Sequence, residues 1–104
     1  MPDLGKMMKQ VQKLQQDMAR LQEELKQERV EATAGGGVIK AVANGQGEMQ
    51  EIIIDPSVVD PNDVTMLQDL IMAAVNEVQR AARHLAEEKM KALTGGLPLP
   101  PGLI

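Results

Sequence analysis

The residue types that could bind a ligand form three groups, and the first is a run of glycines. Gly35, Gly36 and Gly37 are consecutive and precede the apolar residues Val38 and Ile39. Glycine-rich loops bind phosphate groups through backbone N–H groups when a helix begins directly after the loop. A P-loop would also need a lysine and a hydroxyl residue after its last glycine. Strand-like segments flank these glycines on both sides, so the sequence favours a hairpin connection over a nucleotide site.

The second group has the spacing of metal ligands on one helix face. It comprises His84, Glu87 and Glu88. One imidazole and two solvent-facing carboxylates form a weak ligand set, so we prefer a solvated helix face and expect no metal or other cofactor. Catalytic groups are scarce, because the chain has no cysteine, one histidine and a single serine, Ser57. We therefore expect a protein that is not an enzyme and has no small-molecule substrate.

The third group consists of lysines near the start of the chain. Lys6, Lys9 and Lys13 recur at intervals of three and four residues, so they form one stripe on a helix. Cations near a helix N-terminus oppose its dipole by about 0.3–1 kcal/mol, so helix stability does not explain them. The chain has no Phe, Tyr or Trp to stack on bases, which disfavours binding to single strands and RNA loops. Contact with the phosphates of a duplex remains open.

The distribution of charge is more informative than its sum. A net charge of -4 and a pI near 4.9 argue, taken alone, against a nucleic-acid-binding protein. However, residues 41–79 contain seven acids and no lysine or arginine, whereas residues 1–20 and 80–104 each contain four basic and two acidic residues. The acid is concentrated in the middle of the chain and the base at its two ends.

The chain of 104 residues is the size of one domain. The absence of cysteine fits a reducing cytoplasm. Charged residues interrupt the N-terminal segment, and the longest apolar run, Leu70–Val75, is far too short to cross a bilayer. We therefore expect a soluble cytoplasmic protein that does not bind a membrane.

The first predicted element is a helix from about Leu4 to Gln27. Its apolar residues alternate spacings of three and four over about three heptads, which is the pattern of a helix–helix seam. One copy of the chain cannot easily bury the whole seam, so we predict a homodimer. The predicted dimer seam comprises Leu4, Met7, Val11, Leu14, Met18, Leu21 and Leu25.

The middle of the chain predicts three strands and a second helix. Alternation from Val30 to Ala34, Val38 to Ala43 and Glu51 to Asp55 indicates an antiparallel meander, with a type I′ turn at Asn44-Gly45. Asp60-Pro61-Asn62-Asp63 resembles a helix start, with Asp60 as N-cap, and the helix should end near Thr94. The predicted fold is α+β: one helix–three strands–helix domain over residues 1–94, followed by a Gly/Pro-rich tail over residues 95–104.

The sequence resembles the YbaB/EbfC family of nucleoid-associated proteins over nearly its whole length. The match is carried by GGGVIKAVANGQGEMQEIIIDP, LQDLIMAAVNEVQRAA and EKMKALTGGLPLPPG, which follow a heptad helix in this order. The resemblance implies an intertwined, tweezer-like homodimer that binds double-stranded DNA at the nucleoid in the cytoplasm and organises or regulates it. The residues that we predict to contact DNA are the basic ones near the two ends, namely Lys6, Lys9, Lys13, Arg20, Arg83, Lys89 and Lys91.

A different class of function stays open at this point. The methionine-bearing helices and the Pro-rich tail could belong to an adaptor that binds other proteins and does not bind DNA.

Overall fold

A computed structural model describes residues 3–95 of the chain. The predicted order of one helix, three strands and one helix is confirmed. The elements are α1 (Leu4–Gln27), β1 (Val30–Ala34), β2 (Ile39–Ala43), β3 (Met49–Ile54) and α2 (Val64–Thr94). Short 3-10 turns at Gly35–Gly37 and Pro56–Val58 follow β1 and β3. Apart from Gly95, the predicted tail lies outside the described residues. Between residues 3 and 95, no helix combines the length and hydropathy that crossing a membrane requires.

The three strands form an antiparallel meander in the order β1-β2-β3. Ala32 pairs with Ala41, which in turn pairs with Ile52, so these three residues share one face of the sheet. Residues on the other face include Val42, which pairs with Glu31 and Glu51. The alternation in the sequence therefore predicted which side chains share a face.

Helix α2 covers the face of the sheet that carries the alanines. It packs against β1 and β2, and the buried cluster between them comprises Ile39, Ala41, Ala43, Ala74 and Val78. Ala82 continues this contact stripe one turn further along α2 and is also buried. Most of these side chains are small, so the helix lies close to the sheet without the aromatic residues that many cores use.

Strand β3 lies beyond the edge of α2. Its Met49, Ile52 and Ile53 are exposed, although Ile52 is on the helix-facing side of the sheet and Ile53 is on the other side. The far edge of β3 has no partner strand within residues 3–95. The sheet thus ends in a strand whose apolar side chains on both faces and whose backbone edge are open to solvent.

The structure confirms the predicted end of α2 and corrects its predicted start. Asp3 caps α1 by accepting hydrogen bonds from the N–H groups of Gly5 and Lys6, and Gly95 ends α2 in the left-handed conformation, as predicted near Thr94. The predicted start of α2 at Asp60 is wrong. Asp63 is the N-cap, because its side chain accepts the Met66 N–H, whereas Asp60 accepts the Asn62 N–H in a turn before the helix.

The two strand connections use glycine differently from each other. Gly35, Gly36 and Gly37 all have positive φ and connect β1 to β2, which confirms the hairpin interpretation. The predicted type I′ turn at Asn44-Gly45 is wrong, because neither residue has positive φ. The buried Asn44 side chain organises this loop instead, since its Oδ1 accepts the N–H groups of Gln46 and Glu48.

The loop after β2 contacts the end of α1 at a glycine. The Gly45 N–H donates to the Leu25 carbonyl at 2.7 Å. A Cβ at position 45 would lie 2.7 Å from that carbonyl oxygen and 2.9 Å from Leu25 Cδ2. Only glycine permits this approach, which fixes α1 against the sheet.

Replacement of Gly45 by alanine should therefore destabilise the protein by about 1–3 kcal/mol, because the added Cβ forces the loop backbone at position 45 away from Leu25. Urea unfolding measures the change as a lower midpoint at an unchanged slope. Gly5→Ala is the matched control, since the nearest atom to its Cβ is Asp3 Oδ1 at 3.4 Å. A Gly45→Ala protein as stable as the Gly5→Ala protein would contradict the close approach.

Candidate nucleic-acid interface

The N-terminal half of α1 projects from the rest of the chain. The C-terminal third of α2 runs antiparallel beside the C-terminal half of α1, where Leu21 and Leu25 are buried. All residues from Asp3 to Lys13 are exposed, and the chain measures 72 × 21 × 18 Å. We use the name α1 arm for residues 4–14, the part of α1 that extends past the end of α2.

The three predicted lysines lie on this arm. At 3.6 residues per turn, Lys6, Lys9 and Lys13 fall within about 60° of one another, on the side of the helix opposite its apolar seam. All three are exposed, and none forms a salt bridge within residues 3–95. We call these three residues the lysine stripe. The nearby Asp3 caps the helix with its side chain.

The structure does not bring the other predicted cations to the lysine stripe. Arg20 pairs with Asp17 at 3.4 Å, on the same helix. Lys89 pairs with Glu28 at 3.0 Å, beside the C-terminal end of α1. Lys91 lies 3.9 Å from Glu88. These ion pairs offset the positive charge locally, so the three cations are weaker candidates for phosphate contacts than the stripe is.

Arg83 occupies a separate position beside the C-terminal part of α1. It lines a cleft of about 250 Å³ together with Gln22, Gln46 and Gly47. Arg83 and Lys26 are the remaining cations without a salt bridge within the described part of the chain. The amide groups around this cleft are engaged, since Gln46 donates to the Gln22 carbonyl and Gln79 donates to that of Gly47.

A cluster of ion pairs lies on the sheet face opposite α2. Arg29 and Lys40 approach the Glu31 carboxylate at 2.8 and 3.0 Å, and Arg29 also lies 3.9 Å from Glu51. Val42 lies between Glu31 and Glu51 in the strand register and is fully buried. The hydrogen bond from Lys40, and then that from Arg29, hold the pKa of Glu31 below its ordinary value of 4.5. Both cations of the cluster are therefore neutralised by carboxylates.

The acidic segment forms the body of the molecule rather than the arm. Residues 41–79 comprise part of the sheet, its loops and the first half of α2. Asp55 at the end of β3 accepts the Ser57 N–H, and this hydrogen bond lowers its pKa. The acidic residues thus lie mainly in the body of the molecule, and the lysine stripe lies on the projecting α1 arm.

The predicted dimer seam is divided between two environments. Leu21 and Leu25 are buried within one copy, against the C-terminal third of α2. Leu14 and Met18 are half-buried, whereas Leu4, Met7 and Val11 are exposed. Pairing of this seam with a second copy stays a prediction, and it concerns the residues that one copy leaves open.

Sequence reasoning missed the open surface on β3. The signal was present in the three consecutive isoleucines Ile52–Ile54, because a strand with one solvated face would alternate apolar and polar residues. Met72 on α2 adds an exposed apolar side chain.

The three residues with the spacing of metal ligands lie on the surface of the molecule. His84, Glu87 and Glu88 are all exposed on α2. Across residues 3–95, no group of three His, Asp or Glu side chains is arranged to hold a metal ion.

Comparison with known proteins identifies the family. The model of the YbaB/EbfC DNA-binding family matches residues 1–97. The chain belongs to the YbaB/EbfC family. This is a family of DNA-binding proteins and not of enzymes.

Bacterial members of the YbaB/EbfC family are closely similar to this chain. A nucleoid-associated protein of Pelotomaculum thermopropionicum is 56% identical over 98 residues, which cover 94% of this chain and 93% of that protein. A nucleoid-associated protein of Acetivibrio thermocellus is 52% identical over 101 residues, covering 97% of this chain and 89% of its own length.

The fold is also that of a solved structure. The crystal structure of an uncharacterized protein from Helicobacter pylori has a TM-score of 0.79 to this YbaB/EbfC chain, at 21% identity. The match covers 90% of this chain and 99% of the other. At this identity the likeness shows the shared fold.

The Glu31 cluster predicts how the stability of this YbaB/EbfC chain depends on pH. A carboxyl group whose pKa is lower in the folded state contributes stability above its unfolded pKa, and that contribution is lost as the pH falls through the folded pKa. Glu31→Gln should therefore be less stable than the unmodified protein near pH 7, and the difference should vanish in acid.

Urea midpoints measured from about pH 7 down to about pH 3 test this expectation. Glu23→Gln is the control, since Glu23 is exposed on α1 and forms no salt bridge within residues 3–95. A destabilisation by Glu31→Gln that stays constant with pH would show that charge is not its origin.

Proposed function

We propose that this protein binds double-stranded DNA as a homodimer, through contacts between the lysine stripe of each α1 arm and DNA phosphates. It acts at the nucleoid in the cytoplasm and organises DNA or regulates its use. The family match and the names of the relatives support DNA as the partner. The observation that carries the proposed contact is the exposed stripe of Lys6, Lys9 and Lys13, which form no salt bridge within residues 3–95, on an otherwise acidic protein.

The geometry of the stripe suits the backbone of a duplex. Lys6 and Lys13 are about 10 Å apart along the helix axis, at 1.5 Å per residue. This length corresponds to about three base pairs, at 3.4 Å per step of one strand. Lysines contact phosphates as point charges and carry little sequence information, so binding should be largely independent of sequence. Repulsion between DNA and the acidic body orients the arm toward the duplex.

The open edge of β3 supports a dimer. A long apolar edge strand is a template for pairing with another chain, and proteins usually cover it. Antiparallel pairing of β3 with β3 of a second copy would join two meanders into a six-stranded sheet about a twofold axis. This pairing would place Ile52 of both copies on the same face of the combined sheet. Each dimer would present two α1 arms, and simultaneous contact by both would raise the apparent affinity.

Replacement of Lys6, Lys9 and Lys13 together by glutamine should weaken duplex binding and reduce its salt dependence. The slope of log K against log salt becomes less negative by about 0.9 for each lost phosphate contact, so loss of six contacts per dimer should make it less negative by about 5. Fluorescence anisotropy of a labelled duplex over a salt series measures both quantities.

Lys26→Gln is the matched control for the triple variant, because Lys26 is exposed and forms no salt bridge in the described part of the chain but lies on another side of α1. A triple variant that stays dimeric and binds with unchanged affinity and slope would remove the lysine stripe from the interface. If the unmodified protein did not bind duplex DNA even at low salt, the alternative of a protein–protein adaptor would be favoured.

Ile52→Lys should separate the proposed dimer, because it places a charge of each copy in the apolar contact between the two β3 strands. We expect the dimer dissociation constant to rise at least about tenfold, or 1.4 kcal/mol, by sedimentation equilibrium. Circular dichroism checks that the helices remain. Val11→Lys is the control on the α1 seam, at similar exposure. Dissociation by Val11→Lys and not by Ile52→Lys would assign the dimer to the α1 seam.

A further inference from the structure

The α1 arm has an apolar face that nothing covers within the described residues. Leu4, Met7, Met8 and Val11 are 71%, 49%, 64% and 53% exposed, and with Gln12 they line a concave patch of about 320 Å³. Isolated helices shorter than about 12–15 residues are marginal in water. The arm continues a helix that α2 supports only at its C-terminal half, so packing on the apolar face of the arm would stabilise it further.

The end of α2 lies at the point where this apolar face begins. Ala92 and Leu93 line a cleft with Asp17 and Leu21 of α1, and the left-handed Gly95 then ends the helix. Because α2 runs antiparallel to α1 and Leu93 lies beside Asp17 and Leu21, the described part of the chain ends near the start of the open seam. The sequence from 96 to 104 is GLPLPPGLI, which carries four large aliphatic side chains and no charged side chain.

We propose that residues 97–104 dock along the apolar face of the α1 arm of the same chain. The length is sufficient, because eight residues in an extended polyproline-like conformation span about 25 Å. The open seam from Met18 to Leu4 is about 21 Å long, at 1.5 Å per residue. Leu97, Leu99, Leu103 and Ile104 supply the aliphatic groups that this face leaves exposed to water.

The residues that flank the seam favour an uncharged segment as its partner over the second α1 helix that the heptad pattern predicted. In coiled coils, opposite charges beside the apolar seam select the partner and its orientation. The flanking positions here are Met8 and Gln15 on one side and Gln10 and Asp17 on the other. They offer no pair of opposite charges, and Asp17 is already paired with Arg20.

Docking would stabilise the helix that carries the lysine stripe without covering the stripe, which lies on the opposite side of α1. The proposal concerns the folded arm and does not depend on DNA binding. It also gives the Pro-rich segment a binding site on its own chain.

Paired cysteines test the docking directly, since the chain has none of its own. Val11→Cys with Leu99→Cys should form an intrachain disulfide on mild oxidation at low protein concentration, because docking brings the two Cα atoms within about 7 Å. Peptide mapping by mass spectrometry identifies the bond. Gln16→Cys with Leu99→Cys is the matched control, since Gln16 is exposed on another side of α1 and should give little disulfide.

Three results would overturn the proposal. Equal disulfide yields in the two double variants would show that the segment does not select the apolar face. Covalent dimers of Val11→Cys alone would show that the seam pairs with a second α1. Covalent dimers of the Val11→Cys, Leu99→Cys variant only would show that the segment docks on the other copy.

Hydrogen exchange provides a second test on the full chain without cross-links. Replacement of Leu97, Leu99, Leu103 and Ile104 by serine should cause a loss of amide protection over residues 7–14. A variant with Gly96→Ser and Gly102→Ser, which keeps the aliphatic groups, should retain it. Unchanged protection in the first variant would contradict docking.

Discussion

The close contact between α2 and two strands of the sheet is the interaction on which the rest of the structure depends. The chain has no aromatic residue, so the contact is made by small side chains such as Ala41 and Ala74, both fully buried. Helix α2 covers β1 and β2 in this contact and leaves β3 exposed. Helix α2 is about 46 Å long, at 1.5 Å per residue, whereas a five-residue strand spans about 17 Å. Its C-terminal third therefore extends past the sheet, where it packs on α1.

The distribution of charge follows from this arrangement. The cations of the sheet and three of the four on α2 form ion pairs, as Lys40 does with Glu31 and Lys89 with Glu28, while Arg83 forms none within residues 3–95. The α1 arm extends beyond those neighbours, so the lysine stripe keeps its full charge. The glycine run that resembled a phosphate loop contributes only to shape, because its three positive-φ residues turn the chain between β1 and β2. The lysines that we propose to bind DNA and the glycines that shape the fold thus lie in different parts of the sequence.

The periodic parts of the chain could be predicted from sequence, and the parts fixed by single side chains could not. The heptad spacing of apolar residues predicted the two ends of α1, and the alternation along the strands predicted which residues share a face of the sheet. The prediction of a type I′ turn at Asn44-Gly45 was wrong because hydrogen bonds of the Asn44 side chain, and not positive φ angles, organise the loop. Asp60 and Asp63 are equally good N-caps by type, and only the hydrogen bond to Met66 separates them. The pairing of Lys89 with Glu28 joins distant parts of the chain, so no local pattern could reveal it, whereas the pairs of Arg20 with Asp17 and of Lys91 with Glu88 are three residues apart and could be read from the sequence.

The central claim is that the α1 arm, and not the acidic body, meets the duplex. Titration of isotope-labelled protein with a short duplex, followed through backbone amide chemical shifts, tests this claim most directly. We expect the largest shifts over residues 4–20, little change over residues 41–79, and reversal as salt rises, because the contact is electrostatic. Shifts concentrated in residues 41–79, or shifts that persist at high salt, would contradict the account.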